Sequence, residues 1–179
     1  VSWADQIAVV EVLGDEQLPF DPSEFEGGPG WVARRIQARV SETLWARTGA
    51  SDLAPTVKLR TADGWWYSNG ELTPIKDLGA HRGEVGDRLV VAMMDSPKWA
   101  WTLMSGGVPV DSDDRLRADH DQTGIGKQLH GMTLPQLKQT FRSAKPVADV
   151  VRFHHLEIEE RMIAVDKYRN RPPTQARDG

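Results

Sequence analysis

There is no cysteine among the 179 residues, so disulfides, thiolate nucleophiles and thiolate-ligated metals are excluded, and zinc would have to be held by histidines and carboxylates alone. Long apolar runs are missing as well. The longest, Leu89 to Met94, is far too short to cross a bilayer, and the first residues lack the basic stretch that opens a signal peptide. A cytoplasmic location with no membrane partner is therefore the expectation. Lys and Arg are absent from the first 33 residues, which carry seven carboxylates: Asp5, Glu11, Asp15, Glu16, Asp21, Glu24 and Glu26. Net charge is −4, yet from Arg34 onward 22 basic residues face 19 acidic ones (26 minus 7), so any phosphate contact is expected in the C-terminal half. Tryptophan is absent after position 101, although seven precede it, at 3, 31, 45, 65, 66, 99 and 101. The expectation is that indoles anchor the first part of the chain and that the part after Trp101 is stabilised differently.

What is present, 39% hydrophobic and 27% charged residues, fits one globular domain or a domain with a small appendage. Ile7 to Leu13 is a short β-branched run suited to a strand buried on both faces. The stretch from Gly14 to Gly30 reads as a long loop pinned by Leu18, Phe20 and Phe25. In 31–48, Ala33, Ile36, Val40 and Leu44 recur at helical spacing and Gly49 supplies a stop, which predicts a helix. Residues 56–68 then alternate as a hairpin around Ala62-Asp63-Gly64, and Asn69-Gly70 marks a second turn. Pro74 demotes its neighbours to an edge strand, Val85 to Met94 is a candidate central strand, and Trp99, Trp101 and Leu103 alternate toward a core.

The doublet Trp65-Trp66 is the most suggestive feature of this part. Adjacent strand residues face opposite sides, so one indole leaves the core unless both faces are covered by helices. If the side shared by Trp65 and Tyr67 is open, the two rings beside Arg60 make a stacking platform of the kind used for bases, sugars or proline-rich peptides.

Residues 105–123 turn to Gly, Asp and Ser and read as an acidic linker or loop. Asp111, Asp113, Asp114, Asp119, His120 and Asp121 crowd there, and oxygen-rich clusters suit hard cations, which makes Asp119, His120 and Asp121 candidate metal ligands. Each template fails in detail. A calcium loop starting at Asp119 needs a bidentate Glu at its twelfth position, where His130 stands. Asp119, Asp121 and Thr123 resemble the Asp-x-Asp-x-Thr signature of haloacid-dehalogenase phosphatases, but the preceding Arg115 to Ala118 is no apolar strand. Gly124 to Leu129 lacks the upstream Gly and the Ser or Thr of a phosphate loop. No cofactor is implied.

The remainder is helical in pattern. Thr133 is an N-cap with Pro135 in the first turn, and Leu134, Leu137 and Phe141 form a stripe. From Val147 to Tyr168 the chain reads either as one long helix or as two with a turn near His155. The second version resembles a helix-turn-helix unit over 134–171, with Lys167, Arg169 and Arg171 as the groups for DNA, though Glu157, Glu159 and Glu160 would open its recognition helix. The sequence thus predicts an α+β protein. A mainly antiparallel twisted sheet of about five to six strands is packed by one N-terminal helix and carries a helical C-terminal unit. The divisions fall at 1–104, 105–123, 124–170 and a mobile basic tail at 171–179. The function expected is non-enzymatic binding or regulation, engaging a protein partner or a second copy through the aromatic sheet face (Trp65, Tyr67, Arg60) or the C-terminal helices. A DNA-binding regulator and a metal-dependent hydrolase using the Asp111 to Asp121 loop are the alternatives.

Overall fold

The alternation of polar and apolar residues in the first half of the chain is stronger than the sequence suggests, once a buried arginine is counted as facing inward. The computed structural model describes residues 4–21, 23, 29–75, 81–96, 100–103, 107–118, 128–144 and 153–169. They form strands β1 (Gln6–Gln17), β2 (Gly30–Ala46), β3 (Thr56–Ser68), β4 (Glu71–Ile75), β5 (Arg88–Ser96), β6 (Ala100–Leu103) and β7 (Val108–Pro109), with helices α1 (Leu134–Arg142) and α2 (Ile158–Arg169). The chain is mostly antiparallel sheet with two short helices among the described residues, which overturns the expected α+β arrangement: no helix over 31–48 packs the sheet, because that segment is β2. The reason is arithmetical. Ile36 and Val40 are four apart, and four is both about one helical turn and two strand repeats, so they satisfy either period; Leu44, past two register shifts, joins the other face of the strand. Val32, Arg34 and Ala38 separate the two readings, since all three are buried along with Ile36. An arginine in that series reads as polar and breaks the pattern on paper.

β1 likewise runs past Gly14, where a loop was expected to begin. Asp15, Glu16 and Gln17 stay in the sheet opposite Ile36, Arg35 and Arg34, so acids that look like loop residues are strand residues, Glu16 facing Arg35 across the ladder and Asp15 reaching Arg34 diagonally. β3 is one strand rather than a hairpin: the register jumps between the pairs Arg35–Arg60 and Ala33–Gly64, and the intervening residues bulge. The Asn69-Gly70 turn forms as the sequence predicts, with φ of 53° and 83°, and delivers β4 to the edge of β3.

β1 pairs antiparallel with β2 on one edge and with β5 on the other, β2 pairs with β3, and β5 with β6. A parallel bridge from Arg60 to Thr102 joins β3 to β6, so the order β1-β2-β3-β6-β5 returns to β1 and the sheet closes on itself. β7 follows β6 along the same edge of β5, the one turned away from β1.

Closure creates two apolar layers. Ala8, Val10 and Val12 of β1 point into the ring with Ile36, Ala38, Val57, Leu59, Leu89, Val91 and Met93. Ile7 and Val9 point out of it and meet Leu44, Val90, Val110, Leu116, Leu134 and Leu137. β1 is thus buried on both faces, as its apolar run predicts. α1 lies over the outer layer. Its N-cap Thr133 accepts from the Gln136 backbone while the Gln136 side chain returns to the Thr133 backbone, and the Trp45 indole donates to Ala144 O beyond its far end at 3.0 Å. In the region expected as an acidic linker, residues 107–118 carry β7 and a turn in which Asp111 accepts from the backbone of Asp113 and Arg115, each at 2.9 Å. No described helix is long and apolar enough to cross a membrane.

Candidate functional site

β2 and β3 are longer than the ring requires. Beyond it, the beginning of β2, the end of β3 and all of β4 continue as a three-stranded flap. Trp31 and Trp66 are direct cross-strand partners on its outer side, 42% and 43% exposed, a large apolar surface to leave in water. The Trp31 ring covers Gly64. A Cβ there would come within 2.9 Å of the indole and 2.3 Å of the Val32 carbonyl oxygen, so only glycine lets the ring sit against the strand. One side of the indole is held by backbone and the other is left open.

The inner side of the flap is filled. Trp65 is half-buried, with the Arg82 guanidinium 5.0 Å from its ring centroid. Arg82 also donates to Gly64 O at 2.9 Å and to Ile75 O at 3.1 Å, tying β3 to β4 from beneath. Tyr67 packs on Phe20, ring centroids 5.4 Å apart. At the foot of the flap Arg34, 1% exposed, reaches Asp15 at 2.8 Å, Asp63 at 2.9 Å and the Gly83 carbonyl. Burial disfavours its charge, but these two carboxylates outweigh that and raise its pKa. A guanidinium with this many partners fixes the flap rather than reacting.

The outer face continues from the tryptophans onto the ring as a band of charge. Arg35 stands opposite Arg60, and Gln37 opposite Lys58. Two carboxylates of β1 lean into this band: Glu16 contacts Arg35 and, at 3.8 Å, Lys58, while Glu11 meets Arg39 at 3.0 Å. Four cations and two carboxylates therefore share the surface below the indoles. Same-face neighbours repeat every ~6.6 Å along a strand, so the four repeats from Trp31 to Arg39 cover about 26 Å.

The start of β1 holds a second polar cluster. Asp5, 1% exposed, accepts from His154 Nδ1, Arg47 Nε and Arg161 at 2.8 Å each, and from the Asp95 N–H at 3.0 Å. Burial alone would push this carboxyl up, but the hydrogen bonds from His154, Arg161 and Arg47 prevail and hold it far below the usual carboxylate range. The cluster pins the segment carrying α2 to the ring, with Val165 buried beside it.

Among the residues singled out from sequence, the structure places Arg60 on the outer face and Trp65 and Tyr67 on the inner one, and it leaves Trp66 and Trp31 exposed side by side on the outer face. Trp31 was hidden by the helical reading of its segment. Lys167 is exposed on α2, whereas the Arg169 side chain, Arg171, Asp119, His120 and Asp121 lie outside the described residues. No group of three potential metal ligands occurs among the described residues. The closed five-strand circuit with one parallel seam is a small barrel, an architecture hosting many unrelated activities, so function has to be read from surface chemistry. No family model, curated protein or solved structure matches the chain.

Proposed function

We propose that this chain is a non-enzymatic binding protein that takes single-stranded nucleic acid across the outer face of β2 and β3. The opposed, half-open indoles of Trp31 and Trp66 carry the reading: every base has a π-face, and stacking on an anchored aromatic contributes about 1–3 kcal/mol per base. Arg35, Arg39, Lys58 and Arg60 continue from them as the groups to meet phosphates. This moves the expected phosphate contacts from the C-terminal half to the sheet. Tryptophan and arginine also dominate protein–protein hot spots, which favours a second reading on the same face, a protein partner.

The test is a titration of the 15N-labelled chain with oligo(dT) of about ten nucleotides at low salt. The Trp31 and Trp66 indole N–H signals, assigned through Trp→Phe variants, should shift, and Trp66→Ala should lose most of the affinity. If both signals stay in place, single-stranded nucleic acid is not the partner.

A further inference from the structure

We infer that Glu11 and Glu16 are built-in competitors for the phosphate-binding cations of this face, occupying Arg39, Arg35 and Lys58 until a polyanion displaces them. The inference rests on the proposed nucleic-acid reading and extends it to how affinity is set. Both carboxylates come from β1, the neighbouring strand of the same wall, and register aligns each with its arginine: Glu16 faces Arg35 and Glu11 faces Arg39. Glu16 is placed between two cations, Arg35 and Lys58. All five side chains are substantially open to solvent, between 36% and 59%. Exposed ion pairs of this kind are weak, so exchanging a carboxylate for a phosphate is cheap, and a pair already formed holds the guanidinium extended along the face. The two carboxylates also offset most of the charge of Arg35, Arg39 and Lys58, in a chain whose overall charge of −4 already opposes a polyanion.

The experiment compares the whole chain with Glu11→Gln, Glu16→Gln and the double variant, using fluorescence anisotropy of labelled oligo(dT) across a salt series. Glu160→Gln is the control. Glu160 is exposed on α2, the helix that Arg161 ties to Asp5 ahead of β1, and its replacement changes net charge by the same amount. Each face variant should bind about fivefold more tightly at low salt, because a carboxylate close to the phosphate path is removed. The double variant should steepen the salt dependence by about 1.4, since each phosphate newly neutralised on a single strand adds ~0.7 to the slope. Tm should stay within a few degrees throughout. If the native chain binds, loses binding in Trp66→Ala, and is unchanged or weakened by Glu→Gln, the competitor role is overturned while the binding face stands. Equal tightening by Glu160→Gln reduces the effect to net charge and overturns it too. If no variant binds the oligonucleotide, both ideas fall.

Discussion

Asp5 is a single carboxylate on which two guanidiniums and an imidazole converge from three parts of the chain, the end of β2, the turn before α2 and α2 itself. Removing it leaves buried positive charge without a counter-ion, so Asp5→Ala should cost about 3–5 kcal/mol, read as a lower urea midpoint at pH 7. The sign of its pH dependence follows from the lowered pKa. The stability it provides is complete above the unfolded value of 3.8 and is withdrawn as pH falls below that, toward the folded value. Urea midpoints of the native chain should therefore drop steeply below pH 4 and those of Asp5→Ala less so; parallel profiles would show that other groups control acid unfolding. From sequence, Asp5 was one acid among seven in an N-terminal stretch without Lys or Arg. Its partners lie 42 to 156 positions away, a separation that no local pattern encodes.

At the level of the element, the bulge and glycine of β3 decide where the indoles go. Gly64→Ala forces a methyl against the Val32 carbonyl and the Trp31 ring, so it should destabilise by about 1–3 kcal/mol. It should also shift the Trp31 indole N–H signal while leaving Trp45, bonded to Ala144, in place. A signal that stays put would mean the ring does not rest on that strand. Elements whose cues are local were legible: the Asn69-Gly70 turn, the Thr133 cap of α1 and the apolar run of β1. β2 was not, because a buried ion pair placed an arginine at an inward position and because spacing by four fits both periods. The candidate face was half legible. Alternation required one of the two adjacent tryptophans to leave the core, but which one depended on Arg82 lying over Trp65, and Trp31 could join only once β2 was a strand.

Across the whole molecule, the two apolar layers share β1, one through its even positions and the other through its odd ones. The ring and α1 should therefore unfold together, in one transition seen alike by indole fluorescence and far-UV circular dichroism. Leu137→Ala, on α1, should lower that transition by about 2–5 kcal/mol rather than release the helix alone. Two separated transitions, with the second unmoved by the substitution, would mean that α1 belongs to an independent unit. Ring closure was invisible in the sequence because it depends on pairing between strands far apart in the chain, including one parallel seam that no turn signal announces.

β1 also sets an order of events during synthesis. It leaves the ribosome with both faces apolar and both edges unpaired; β2 covers one edge, but the other waits for residues 88–93, most of the way to the middle of the chain. At ordinary elongation rates that delay is several seconds. For that interval the nascent chain presents a sticky ribbon to its neighbours on the polysome, and a chaperone that shelters a short hydrophobic stretch would act there first.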